Sequence, residues 1–411
     1  MPSRLRREWT AVVGGLPTTF WWLWAGMLFN ALATFVFPFL ALALRARGWT
    51  DEDTGLAVSL MGAGSIVAAP LGGVLADGIG RRRTLLLALV LSGLATVLVA
   101  LAAAPQAVAV ALALLGLVSN LFRPAAQALI ADVVAPADRA RAFGLLYWAV
   151  NVGIAVSLVV GGTLAHWSFR ALFLADAATT LLFAALVWRR IPETRPPQAA
   201  HAATAPWRGL AAVFRDGVFL AFLGLNVLFA VVLFQFTAAA PLDMARNGVG
   251  PLEFGLLMSV NGIVIALLQP FAGRFTGRFE PASVLAVAAS LTGLGYGLFA
   301  LVATPAGYVV AIVIWTVGEV LNAPVAATLS AELAPVALRG RYQGAFGMSY
   351  GIAATVAPAV GALALARLGP AGVWGGCIVV GLLAAAGQLA ARGARRRRIA
   401  ALAFGRTRES G

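Results

Sequence analysis

Residues 72–85 read GGVLADGIGRRRTL. An apolar run from 54 to 76 leads into this stretch, and another from 84 to 104 leaves it. A helix crosses the hydrocarbon core of a bilayer with about 20 mostly apolar residues. Two such runs, joined by a turn that holds Asp77, Gly80 and Arg81–Arg83, describe a hairpin of membrane-spanning helices with its turn among the lipid headgroups. The pattern recurs along the chain. Apolar runs fall near 20–44, 54–76, 84–104, 107–131, 143–165 and 170–188, then near 217–240, 253–273, 282–303, 307–333, 342–366 and 370–391. The composition agrees: of 411 residues 61% are hydrophobic and 11% charged, with a mean hydropathy of +0.90. Soluble domains have about 45–50% apolar and about 25% charged residues, so the expectation is an all-α membrane protein with twelve transmembrane helices.

Between the two sets of six runs lies RRIPETRPPQAAHAATAPWRGLAAVFRD, residues 189–216. It reads as a linker with a short surface helix around Trp207–Phe214, separating an N-terminal six-helix bundle (1–188) from a C-terminal one with a basic tail (217–411). The net charge of +14 comes from 30 arginines, no lysine and 16 acids. With the N-terminus in the cytoplasm, 24 arginines fall in cytoplasmic segments, among them Arg4, Arg6 and Arg7. Only five (Arg45, Arg47, Arg170, Arg246 and Arg367) fall outside, and Arg123 lies within a helix. That asymmetry predicts both termini inside and makes a nucleic-acid partner unnecessary. Shifting the sequence by 200 residues superimposes Pro70 and Gly73 on Pro270 and Gly273, Pro124 on Pro324, and Asp132 on Glu332. Arg139 and Arg141 meet Arg339 and Arg341 at the same offset. Two parallel repeats of six helices follow, a geometry that places substrate between them near mid-membrane.

The stretch from Gly73 to Arg82 resembles the Gly-x-Leu-Ala-Asp-x-x-Gly-Arg-Arg signature of the major facilitator superfamily, in the loop where that family carries it. The second copy, GRFTGRF from Gly273, has Gly277 in place of the acid. The resemblance implies the major facilitator fold and the twelve-helix drug:proton antiporter branch. It implies that Asp77 contacts the start of helix 11, near Arg341, and holds the cytoplasmic side closed. Gly73, Gly80, Arg81 and Arg82 complete that gate, and Gly73 is read as the residue that lets two helices approach. Asp132 with Arg139, and Glu332 with Arg339, are read as mirrored ion pairs at the cytoplasmic ends. Two family signatures are incomplete: Leu112 stands where helix 4 of the family carries Arg, and the helix 5 stretch Gly153, Ser157, Leu158, Gly161, Gly162 lacks a Gly-Pro pair.

A charge at mid-membrane costs about 2.5–3.5 kcal/mol on insertion scales, so such residues face a cavity or a partner. Glu319, in IVIWTVGEVLNAP, lies halfway along the tenth run, roughly 18 Å from its outer end. A partly desolvated carboxyl there is a candidate for proton coupling; a structural acid bonded to polar neighbours is the alternative. Asp176, in FRALFLADAATTLL, is a second proton-coupling candidate, with helix packing as its alternative. Arg123 either faces an anionic substrate or pairs with an acid. Asn30, Asn120, Asn151, Asn226, Gln235, Asn261 and Asn322 lie at membrane depth and are candidate cavity residues. Asn30 and Asn226 lead, because helices 1 and 7 line the cavity in the resembling family.

Cys377 is the single cysteine, and His166 and His201 are far apart, so neither a disulfide nor a zinc site is expected. The sequence has no phosphate-binding glycine loop with a lysine, and no cofactor or enzymatic activity is expected. The reading is a secondary active transporter working by alternating access, exporting hydrophobic or amphipathic small molecules in exchange for protons. Its partners are substrate, protons and the lipid bilayer, with a monomer as working unit. The arginine-rich, lysine-free composition points to a bacterial cytoplasmic membrane. The alternatives are a carrier of one metabolite (amino acid, sugar or siderophore) and a non-transporting membrane sensor of the same fold.

Overall fold

Proline starts four of the helices. Pro105, Pro251, Pro281 and Pro305 each occupy the first helical turn after an extended residue, where a missing N–H costs no hydrogen bond. Side-chain caps start others: Ser168 accepts from the Ala171 amide and Asp216 from the Phe219 amide. The computed structural model describes residues 14–135, 138–194, 213–335 and 338–409. The N-terminal arginines and most of the linker, including most of the surface helix expected at 207–214, lie outside the described residues.

In chain order the helices are α1 (Thr18–Ala46), α2 (Asp51–Gly78), α3 (Arg81–Leu101), α4 (Pro105–Val133), α5 (Arg139–Trp167) and α6 (Phe169–Arg190). They continue as α7 (Gly217–Thr237), α8 (Pro251–Thr276), α9 (Pro281–Ala300) and α10 (Pro305–Leu333). A run of 52 residues, Arg339–Ala390, follows. At 1.5 Å per residue it would be about 78 Å long, more than twice a bilayer's apolar thickness. Gly369, at φ 71° and ψ −175°, divides it into α11 (339–368) and α12 (370–390). Only a residue without Cβ adopts that conformation freely. A basic helix, α13 (Arg392–Glu409), closes the described chain. Among the described residues ten apolar spans qualify as crossings by length and composition; the bent helix α2 makes an eleventh, and the division at Gly369 makes twelve. The bend in α2 is 43° and falls between Ala68 and Leu71.

The packing repeats as the sequence does. In the first half α3 packs on α4 and α6, and α1 on α5; in the second, α9 packs on α10 and on 339–390, and α7 on 339–390. The described residues form two compact units. One comprises residues 14–36 and 67–194, with a core of Phe20, Leu23, Leu85, Leu129 and Phe183. The other comprises 37–66 and the residues from 213 onward, with a core of Phe219, Phe222, Leu285, Leu329 and Tyr342. The second unit thus contains the last third of α1 and the first half of α2.

Candidate functional site

Glu319 lies fourteen residues from either end of α10, about 21 Å along the axis. Asn261 of α8 holds it: one amide hydrogen goes to Glu319 Oε2 (2.9 Å), the other to Thr316 Oγ1 (3.1 Å). Thr316 in turn donates to the Ile312 carbonyl at 2.6 Å. Gly318 makes the setting possible, because a Cβ there would sit 2.3 Å from Thr292 Oγ1 and 2.6 Å from the Ala288 carbonyl of α9. Below this, Tyr296 stacks between Trp315 and Trp374 and donates to the Leu233 carbonyl at 2.8 Å. No cation among the described residues pairs with Glu319. Its negative charge is therefore met only by a neutral amide, a setting that favours a carboxyl able to take up a proton.

Asp176 sits at a break in α1. Helix α1 is interrupted between Ala31 and Val36, and Asp176 Oδ2 accepts the backbone N–H groups of Phe35 (2.7 Å) and Val36 (3.0 Å). A carboxylate from α6 thus caps the second segment of α1 in trans, meeting two donors and the positive end of the helix dipole. The sequence offers Asp176 as a proton-coupling candidate with helix packing as its alternative, and these two amide contacts are those of a packing acid. Asn30 is tied into the same junction, its Oδ1 accepting from Thr180 Oγ1 at 3.0 Å.

The remaining amides divide by burial. Asn226 is 2% exposed and donates to Ser349 Oγ at 2.7 Å, so it joins α7 to α11 and does not line an open surface. Gln235 is also buried, donating to the Val231 carbonyl at 3.0 Å, with its Oε1 against Gly361. Asn322 is buried 3.5 Å from the Tyr350 hydroxyl. Asn120 and Asn151 are half-buried, and Asn261 serves Glu319. Arg123 is exposed and has no hydrogen-bond or ion-pair partner among the described residues.

The loop motif forms a hub with Arg81 at its centre, 7% exposed. Arg81 contacts Asp77 (3.2 Å), Asp132 (3.0 Å) and the Ala76 carbonyl (2.9 Å). Its backbone amide donates to Glu193 Oε1 at 2.8 Å. Gly80, at φ 104°, leaves room for that carboxylate, since a Cβ would lie 2.3 Å from Glu193 Oε2. Arg82 donates to the Trp188 carbonyl, and Thr194 Oγ1 to Asp132 at 3.1 Å. The expected Asp132–Arg139 pair gives way to Asp132–Arg81, because Arg139 caps α4 through the Ala131 and Val134 carbonyls. Glu332 is exposed; the side chain of Arg339 lies outside the described residues, and Arg341 is half-buried. The close approach assigned to Gly73 belongs to Gly72, whose Cβ would lie 2.6 Å from the Leu121 carbonyl of α4. A Cβ on Gly73 would meet nothing within 4 Å. Glu193 is absent from the sequence-level site because it lies in the linker, beyond any apolar run.

Within the second unit, the first half of α2 packs tightly on α11. A Cβ at Gly55 would lie 2.6 Å from the Pro358 carbonyl, and one at Gly62 2.3 Å from the Ala354 carbonyl. The Ala359 amide donates to Ser59 Oγ at 3.0 Å between them. At the tip of α2, Asp51 bridges Arg45 and Arg246, and Glu52 meets Arg367 at 2.7 Å. Three of the five arginines assigned to the outside, Arg45, Arg246 and Arg367, meet here.

Twelve apolar spans in two packed repeats, with a charged hub between α2 and α3 and a mid-helix carboxyl at Glu319 that no cation among the described residues meets, define a polytopic transport fold. The sequence matches the Major Facilitator Superfamily model over residues 23–242 and 227–408. The chain belongs to that superfamily and is a membrane transporter. It is similar to a Na+, Li+, K+/H+ antiporter of Planococcus maritimus, 28% identical over 79% of this chain and 84% of the relative. It is also similar to the multidrug resistance protein MdtH of Cronobacter sakazakii, at 24% identity over 77% and 79% of the two chains. Among solved structures, the peptide transporter POT in complex with sulfate has a TM-score of 0.73 at 17% identity, covering 92% of this chain and 96% of the other. The D-xylose–proton symporter has a TM-score of 0.71 at 17% identity, over 90% and 96%.

Proposed function

We propose that the chain is a proton-coupled exporter of hydrophobic or amphipathic small molecules, working by alternating access in a bacterial cytoplasmic membrane. Its arginine-rich loops and both termini face the cytoplasm, and the six-helix halves within 1–188 and 217–411 move about the linker. The supporting observation is Glu319 at mid-membrane, bonded to Asn261 and without a cation partner among the described residues. A carboxylate so placed costs several kcal/mol unless a proton neutralises it or the site opens to water. Protonation from one side and release to the other, linked to a conformational change, is the coupling step. The relatives described as a cation/H+ antiporter and a multidrug resistance protein support exchange as the mode.

The antiporter relative favours a second reading, in which Glu319 with the Asn261 and Thr316 oxygens alternately holds a monovalent cation and a proton. An efflux panel of chemically varied dyes, run with and without a protonophore and with sodium or potassium outside, separates the two. Protonophore-sensitive dye efflux lost in Glu319→Gln supports export. Dye indifference together with sodium-driven proton movement supports cation exchange, and full dye efflux in Glu319→Gln removes the assigned role.

A further inference from the structure

Two unengaged polar side chains stand one above the other on α4. Arg123 and Gln127, four residues apart, share a helix face, are both exposed, and have no hydrogen-bond or ion-pair partner among the described residues. Arg123 is ten residues, about 15 Å, from the end of α4 at Val133, within the apolar zone. In the first segment of the same helix the exposed large hydrophobic residues are Val110 (58%) and Leu114 (44%), with Pro105, Gln106 and Ala107 exposed at its start. The helix is broken at Asn120 and Leu121, which separate a segment Pro105–Ser119 from a segment Phe122–Val133. In the second segment Arg123 and Gln127 share one exposed face. A guanidinium at this depth is costly against lipid and stable against water, so it lines an aqueous cavity.

The unit containing Arg123 supplies no counter-charge. Its described acids are all engaged: Asp77 and Asp132 with Arg81, Asp138 with Arg141, Glu193 with the Arg81 amide, and Asp176 with the Phe35 and Val36 amides. The fold does not demand the pair either. The 200-residue repeat places Ala323 and Ala327 at the matching positions of α10. A cation and an adjacent amide, accessible and unspent, present the donors that hold a carboxylate: a planar guanidinium fork and an N–H beside it.

We propose that Arg123 and Gln127 form an anion-recognition site, and that the transported molecule carries a carboxylate. This inference rests on the transport reading and narrows its substrate class to carboxylate-bearing amphiphiles. Two experiments test it. In the first, fluorescein (a carboxylate dye), uncharged Nile red and cationic ethidium are offered to everted vesicles holding the full chain. Arg123→Gln should lower fluorescein transport at least about tenfold and leave Nile red within about twofold. Arg123→Lys should keep an intermediate rate, and Gln127→Ala should lose about threefold. Equal loss for all dyes, or unchanged fluorescein transport in Arg123→Gln, overturns the proposal, as does a wild type that moves Nile red or ethidium and not fluorescein. In the second, fluorescein anisotropy with the purified protein measures binding without transport. Weaker binding in Arg123→Gln, with wild-type melting, supports the site even if no dye is moved, in which case the transport reading alone fails. Equal binding by both proteins overturns the proposal.

Discussion

Gly62 marks the tightest backbone contact between α2 and α11, so Gly62→Ala tests whether that contact separates during transport. The new Cβ would sit 2.3 Å from the Ala354 oxygen, 2.5 Å from its carbonyl carbon and 2.7 Å from the Thr355 nitrogen. All three are backbone atoms, so no side chain can rotate away, and the helices must part by roughly 1 Å to restore ordinary contact. Overpacking of this kind costs about 1–3 kcal/mol. Parting also stretches the Ala359 N–H to Ser59 Oγ bond, 3.0 Å long and less than one turn away, for about 1 kcal/mol more. A total of about 2–4 kcal/mol falls only on states that contain the contact, which changes their population about thirtyfold or more. Thr54 reports it: it is fully buried and its hydroxyl has no partner, so Thr54→Cys sacrifices no hydrogen bond. In a Cys377→Ala background, an impermeant maleimide added outside should label Thr54→Cys at least about tenfold faster when Gly62 is alanine. The control is Gly73→Ala, whose Cβ meets nothing within 4 Å and which should label at the parent rate. Equal labelling in the Gly62→Ala and parent proteins would refute the assignment of this contact as a moving one.

Three further outcomes follow from the same geometry. Gly80→Ala places a Cβ against the Glu193 carboxylate at a φ of 104°, so it should lower the melting temperature in detergent; adding Glu193→Ala should restore only part, since the backbone strain of about 1–2 kcal/mol remains. Asp176→Ala orphans two buried amides and should destabilise by about 2–5 kcal/mol, whereas Asp176→Asn, if folded, should retain gradient-driven transport; loss of coupling with an intact fold would restore Asp176 as a proton carrier. Burial pushes the Arg395 guanidinium down to about 10, partly offset by Glu280, and its Nε and Nη2 have no partner. A base whose folded value is lowered destabilises the fold while charged, so this penalty is complete at neutral pH and fades only above about 10. Arg395→Met with Gln388→Leu should therefore raise the melting temperature at pH 7 by a few degrees, and a fall would contradict the sign.

The helices were legible because a bilayer imposes one pattern: apolar for about 20 residues, then charge or Gly/Pro. Glu319 was legible for the same reason, as a charge with nowhere to hide. Partners across helices were less so. Asn226 and Asp176 satisfy the rule that buried polar groups find partners, but the rule cannot say whether the partner is substrate, Ser349 or a backbone amide. Gly72 and Gly73 are adjacent in sequence, and only the phase of α2 against α4 decides which one meets Leu121. The contact of α2 with α11 did leave a signal, the small-residue stripe Gly55, Ser59, Gly62 at helical spacing. Glu193 left none, because a capping acid in a linker looks like any other linker charge.

The central claim is that Glu319 carries the coupled proton. Purified protein in liposomes with a trapped pH indicator measures proton movement directly when substrate is added on one side. Wild type should move protons opposite to substrate, and Glu319→Gln should exchange substrate across the membrane with no coupled proton flux and no response to an imposed pH gradient. Proton flux in Glu319→Gln equal to wild type would contradict the account.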